Sequence, residues 1–231
     1  MRKLILFDID GTLLSARGAP RRAFHTAMEE VYGTAGPIGT YSFDGKTDPQ
    51  IARDLLRASG LEDAVITARM PDLWTAYLRE LRAELQVPGH ETHVYPGVRE
   101  LIARLRERKE ELLLGLLTGN IAPGADLKLR SAGLDGIFAF GAYGSDAERR
   151  DALPPVAVER AHAHCGVRFR GADVVVIGDT PHDVACGRGI GVRAVAVATG
   201  RHDAGSLRAC GADAVLDDFA DTAAALAVLL G

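Results

Sequence analysis

Four apolar runs punctuate the chain, at residues 4–7, 112–117, 174–177 and 194–198. None shows the apolar–polar alternation of a strand with one wet face, so each predicts a strand buried on both sides. Helical periodicities separate them. Val98, Leu101, Ile102 and Leu105 share one face; Leu127, Leu129 and Ala132 lead up to Gly133; residues 156–163 end near Gly166. Strands alternating with helices predict an α/β fold, a doubly wound and mostly parallel sheet with a Rossmann-like core.

One stretch breaks this rhythm. From about residue 15 to residue 92 there is no buried-strand pattern, only helical segments at 21–32, 49–58 and 64–85. That excursion is too long for an ordinary strand-to-helix connection. It predicts an inserted helical cap over residues 16–92, with residues 1–15 and 93–231 forming the α/β core. The cap is expected above the carboxyl ends of the strands, where open α/β sheets bind ligands.

The chain has 231 residues, is 47% apolar and 25% charged, and carries a formal net charge of -4. Those values fit a globular protein with a substantial core and leave no basic footprint for a nucleic-acid partner. No apolar run approaches the roughly 18 residues of a membrane span. The N-terminal segment lacks the pattern of a signal peptide. A cytoplasmic protein without a membrane partner is therefore expected, as a monomer or weak homodimer. Cys165, Cys186 and Cys210 have neither disulfide-framework nor metal-ligand spacing. The only lysines are Lys3, Lys46, Lys109 and Lys128, so arginine is a plausible occupant of roles that lysine often fills.

Candidate chemistry gathers where the apolar runs stop. Asp8-Ile9-Asp10-Gly11-Thr12 follows the first run. Two carboxylates at a strand end, with a glycine that permits a tight turn, can reach one reacting centre; an Asx-rich turn that merely ends a strand is the plainer reading. Thr118-Gly119-Asn120 follows the second run. It offers a hydroxyl and backbone N–H groups as a phosphate cradle, or else simply a helix cap. Gly178-Asp179-Thr180-Pro181-His182-Asp183 follows the third. Asp179 suits a hard divalent cation that demands oxygen ligands, whereas Asp183 also sits where a Thr180-capped helix start would place an acid. All three groups fall on one edge of one parallel sheet.

On these residues the sequence resembles the haloacid dehalogenase-like superfamily, and the resemblance spans essentially the whole chain. DIDGT is similar to the family's first motif, Thr118 in LLTGN to its second and GDTPHD to its fourth. The insert is placed like the helical cap of phosphoglycolate phosphatase-like and β-phosphoglucomutase-like members. The resemblance implies a Mg2+-dependent phosphatase acting on a small phosphorylated metabolite, phosphoglycolate-like or a sugar phosphate, through an aspartyl-phosphate intermediate. In that scheme Asp8 is the nucleophile and Asp10 the general acid and base. Thr118 with Gly119 and Asn120 binds phosphate. Asp8, the backbone carbonyl of Asp10, Asp179 and Asp183 hold the metal.

The third motif departs from the family pattern. Where a lysine is usual, this chain reads Glu148-Arg149-Arg150-Asp151. Arg150, nearer the helix start, is the expected phosphate cation, with Arg149 as the alternative; guanidinium keeps the charge but replaces a point donor with a fork. Lys128, within the helix after the second strand, reads as a poor substitute. In the cap, Lys46 is a candidate for a second anionic group on the substrate, although a Thr47 or Asp48 helix cap with a solvated lysine accounts for the same residues. A phosphomutase using the same aspartate is the alternative enzyme, and a non-catalytic binding or regulatory protein the alternative from another class.

Overall fold

The computed structural model describes residues 2–231. In chain order its elements are β1 (Lys3–Phe7), β2 (Leu14–Ser15), α1 (Ala19–Tyr32), α2 (Asp48–Ala58), α3 (Asp63–Leu85), β3 (His93–Val94), α4 (Val98–Glu107), β4 (Leu112–Leu117) and α5 (Ala122–Ser131). They continue with β5 (Gly141–Ala142), α6 (Leu153–Cys165), β6 (Val174–Gly178), α7 (Pro181–Cys186), β7 (Arg193–Val197), α8 (Ala204–Ala209), β8 (Ala214–Leu216) and α9 (Thr222–Leu230).

Six strands form one parallel sheet in the order β5-β4-β1-β6-β7-β8. The chain leaves central β1, builds outward through β4 and β5, then returns to β6 on the other side. The carboxyl end of β1 is thus the topological switch point, where such sheets open a crevice. The side-chain period of two explains the unbroken apolar runs. Ile5 and Phe7 enter one core cluster with Val175 and Ile177, while Leu4 and Leu6 enter the opposite cluster with Val174 and Val176. Burying each such side chain contributes about 1.5–3 kcal/mol, so the central strands anchor the sheet.

Between β2 and β3, which pair antiparallel, the chain forms α1, α2 and α3 and no strand. These helices bury their own apolar cluster, centred on Phe24, Met28, Leu55, Leu73 and Tyr77, with Ile121 contributed from the foot of α5. Thr47 caps α2 by accepting the Gln50 N–H, with Asp48 as the first helical residue and Pro49 after it. The helix after β4 starts earlier than its apolar periodicity suggests, at Ala122, which places Lys128 in the last turns of a helix that begins at the site. Short β5, β8, α8 and α9 carry too few periodic positions to read from the chain alone.

Candidate active site

Asp8 sits one residue past β1, between the ends of β4 and β6, with its N–H bonded to the Ile177 carbonyl at 2.9 Å. Across from it stand Asp179, one residue past β6, and Asp183, in the first turn of α7. All three are buried, and they offer oxygen atoms within 4.8 Å of one another. Glycines make the crowding possible. A Cβ on Gly11, whose φ is +84°, would stand 2.2 Å from the Asp179 carboxylate, and one on Gly200 would stand 1.8 Å from it. Gly11 is the turn glycine of the DIDGT segment; Gly200, just after β7, belongs to no motif recognised in the sequence.

Asp183 fills the helix-start role considered for it and also stands in the carboxylate cluster. Its Oδ2 accepts from the Thr180 N–H at 3.0 Å and from the Thr180 hydroxyl at 2.6 Å, closing a capping box. Its Oδ1 accepts from Arg150 Nη2 at 2.5 Å. The same Arg150 nitrogen lies 3.2 Å from Asp8 Oδ1. Arg150 opens the turn before α6 and is buried, whereas Arg149 points to solvent with 81% of its side chain exposed and pairs with Asp151. Arg150 Nε is buried without a hydrogen-bond partner, a donor left available in an enclosed cationic site.

Three carboxylates and one guanidinium leave a surplus of negative charge. Burial pushes the Asp8 carboxyl up to about 6 against the opposing pull of Arg150, with Asp183 and Asp10 adding to the rise. Burial also carries Asp179 up to about 9, reinforced by Asp183 and Asp8. For Arg150, burial alone acts to lower the pKa, but Asp183 and Asp8 outweigh it and hold the group cationic. An all-oxygen donor set with unbalanced charge fits a hard divalent cation. The Asp10 carboxylate lies outside that group, so only its backbone carbonyl remains available for the metal role expected of it.

Asp10 instead faces β4 and α5. Its Oδ2 accepts from Asn120 Nδ2 at 2.8 Å and from Lys128 Nζ at 2.7 Å. Asn120 also donates to the Thr118 hydroxyl at 2.8 Å, and Thr118 is fully buried. Lys128 therefore lines the cavity beside Asp10, a place not expected for it from the sequence, while Arg150 and not Lys128 stands beside Asp8. The side chain of a helical residue leans toward the N-terminus, and this one reaches back along α5 to the site. The signal was present in the sequence: Lys128 shares a helix face with Ile121 and Ala125, both buried.

The helical segment meets the site through residues 46–48. Asp48 N–H donates to the Gly119 carbonyl at 2.8 Å, and Asp48 Oδ2 accepts from the Ile121 N–H at 2.8 Å. Gly119 lets this loop approach, since a Cβ there would stand 2.1 Å from the Lys46 carbonyl. Burial raises the Asp48 carboxyl to about 6, with Lys128 pulling the other way. Lys46 Nζ contacts the Tyr41 hydroxyl at 2.5 Å and lies 3.6 Å from Asp54, so its charge is engaged within the helical segment. A cavity of about 370 Å³ joins the two parts, lined by Asp8, Asp10, Thr118, Asn120, Arg150 and Asp179 below and by Phe24, Phe43, Lys46 and Tyr77 above. Asp48 and Tyr77, whose buried hydroxyl has no partner, carry no motif and were not anticipated as site residues. Among the described residues no helix is long and apolar enough to cross a membrane.

The chain is similar along nearly its full length to proteins of this architecture. It is 27% identical to the phosphoglycolate phosphatase of Synechococcus elongatus, covering 98% of each chain. It is also 27% identical to the "Probable phosphatase IndB" of Dickeya dadantii, covering 100% of this chain and 96% of that one. The solved structure of a hydrolase from Pseudomonas syringae shares the fold, with a TM-score of 0.72, 21% identity and coverage of 98% of this chain and 99% of the other. With the haloacid dehalogenase-like hydrolase model matching residues 5–197, the chain belongs to that family.

Proposed function

We propose that the protein is a Mg2+-dependent phosphatase that hydrolyses a small phosphorylated metabolite through a phosphorylated Asp8. The observation that carries this reading is the placement of Asp8 in one cavity with a buried cation, Arg150, and with Asp179, backed by the buried carboxylate of Asp183 that Arg150 also contacts. Phosphate esters hydrolyse extremely slowly, and dividing the reaction into two displacements lowers each barrier.

In the first displacement an Asp8 carboxylate oxygen bonds to phosphorus as the ester P–O bond breaks, and Asp10 supplies the proton that the leaving alkoxide takes up. In the second, water attacks the same phosphorus while Asp10 takes its proton. The bond from phosphorus to Asp8 then breaks and inorganic phosphate leaves. Arg150 stands where a guanidinium holds phosphoryl oxygens, using donors such as the unpartnered Nε, and the Thr118 hydroxyl and the 119–120 backbone complete the cradle. Asp8, Asp179, Asp183 and the Asp10 carbonyl would hold Mg2+, which when bound supplies charge neutralisation for the phosphoryl group.

The helical segment, residues 16–92, acts in this reading as a cap that selects the substrate, with residues 46–48 at its contact and Lys46 reaching a second anionic group only by leaving Tyr41 and Asp54. The phosphatase names of two relatives support hydrolysis, and one of them is named for phosphoglycolate. The test is a panel of phosphoglycolate, sugar phosphates and other small phosphate esters, assayed for released phosphate with Mg2+ and with EDTA. Mg2+-dependent release from at least one is expected. Conversion of a hexose 1-phosphate to its isomer without phosphate release would identify a mutase instead.

A further inference from the structure

Lys128 belongs to none of the motifs that carry the proposed reaction, yet its side chain is 4% exposed at the edge of the catalytic cavity. A buried ammonium is costly unless it is paired and hydrogen-bonded, and an apolar residue on that helix face would pack against Ile121 and Ala125 without the cost. Its contacts all lead to one carboxylate. Nζ donates to Asp10 Oδ2 at 2.7 Å and to Asn120 Oδ1 at 2.5 Å, while Asn120 Nδ2 donates to the same Asp10 oxygen at 2.8 Å. The three side chains form a closed triangle in which each bonds to the other two. Oδ2 receives two donors; among the described residues no side-chain hydrogen bond reaches Oδ1.

We infer that Lys128 is a positioning residue for Asp10: with Asn120 it clamps Oδ2 and turns Oδ1 toward the cavity as the oxygen that exchanges protons with the leaving group and the attacking water. The clamp also restricts rotation of a side chain that is otherwise 41% exposed and open to alternative rotamers. Proton transfer depends on such orientation, because the acid must lie within hydrogen-bond reach of the oxygen it serves. A lysine fits the task better than a second asparagine: its long stem spans the distance from the end of α5 and brings a charge-assisted bond to the carboxylate. Asp48, which ties the helical segment to the start of the same helix through the Ile121 N–H, lies close enough to feel the Lys128 charge.

This inference rests on the phosphatase reading, and leaving-group chemistry separates the two. Nitrophenolate departs from phosphorus without a proton, whereas an alkoxide requires one, so only the latter depends on Asp10 in the first displacement. The second displacement needs Asp10 for both esters. Lys128→Met keeps the helix face filled and removes the clamp. Rapid-quench measurement with Mg2+ should show its first turnover on the phosphate ester of a primary alcohol slowed about a hundredfold, a typical worth of acid–base catalysis. First-turnover release from p-nitrophenyl phosphate should change by less than about threefold and be followed by a slow steady state, a burst equal to the enzyme concentration marking accumulated phosphoenzyme. On an Asp10→Asn background the same change should add less than about threefold, because the two residues act as a unit. An equal loss on both esters, no loss on either, or an additive loss with Asp10→Asn overturns the inference. Lys128→Gln, which retains a donor, should recover part of the alkyl-ester rate, and failure of both variants to fold would assign Lys128 to stability and overturn it too. If wild type releases phosphate from neither ester, the phosphatase reading fails first and this inference falls with it.

Discussion

The two sides of the candidate site treat their carboxylates differently. On the β1–β6 side, Asp8, Asp179 and Asp183 share one cation, Arg150, and are left with excess negative charge. On the β4–α5 side, Lys128 and Asn120 both donate to the single carboxylate of Asp10. Burial, reinforced by neighbouring carboxylates, raises Asp8 and Asp179, and the crowded set invites a divalent cation; a carboxylate with its own clamp is held in one orientation instead. The contrast suggests a division of labour, charge handling on one side and proton handling on the other.

The sharpest way to break the comparison is to remove the proposed nucleophile, Asp8. Asp8→Asn is close to isosteric and should lower turnover by about 10⁴-fold or more, as loss of a covalent catalyst does. The melting temperature should not fall, since the change relieves the crowding around Asp179 and Asp183. Retention of a tenth of wild-type activity would falsify the assignment of Asp8.

Removing the shared cation ranks next. Arg150→Ala should cost roughly 3 kcal/mol of transition-state stabilisation, on the order of a hundredfold in kcat/KM, and Arg150→Lys should recover part of it. Arg149→Ala, changing a residue that faces solvent and holds only Asp151, should leave kcat/KM within about twofold of wild type. A larger effect at 149 than at 150 would show that the buried guanidinium does not carry the reaction.

The charge surplus itself can be tested through magnesium. Asp179→Asn should weaken Mg2+ binding about tenfold or more in titration calorimetry while sparing the Asp10 clamp. Unchanged affinity would place the cation elsewhere.

The smallest effect is a pH dependence. Asp8 at about 6 and Asp179 at about 9 both lie above the ordinary carboxyl value of 3.8, so the folded protein binds protons more tightly than the unfolded chain. The stability linked to Asp179 is fully present below about pH 4 and is lost as pH rises toward about 9. In EDTA, the melting temperature of wild type should therefore fall between pH 7 and 9 relative to Asp179→Asn, and saturating Mg2+ should remove the difference. A parallel pair of melting curves across that range would dissolve the contrast between the two sides.

Much of the molecule was legible in the chain. The apolar runs located β1, β4, β6 and β7, because a strand buried on both faces requires apolar side chains at every position. The acids that follow β1 and β6 could be assigned to one site from the rule that parallel strands end on the same edge. The choice between Arg149 and Arg150 needed the fold: both neighbours have the same chemistry, and only the direction of the turn before α6 sends one inward and the other to solvent.

Lys128, Asp48, Tyr77 and Gly200 needed the fold as well, for a shared reason. Each reaches the site from an element whose distance from it is set by packing between elements; the helix face that Lys128 shares with Ile121 and Ala125 marks it as inward-facing but does not say which carboxylate it meets. Periodicity and turn chemistry report the backbone's neighbours a few residues away, so the sequence by itself determined the strands, the edge on which they end and the acids placed there. The approach of α5, of the 46–48 loop and of the segment after β7 is decided by how helices and sheet bury their apolar faces against one another. That packing turns a helical lysine inward to Asp10 and gives Asp179 its room between two glycines.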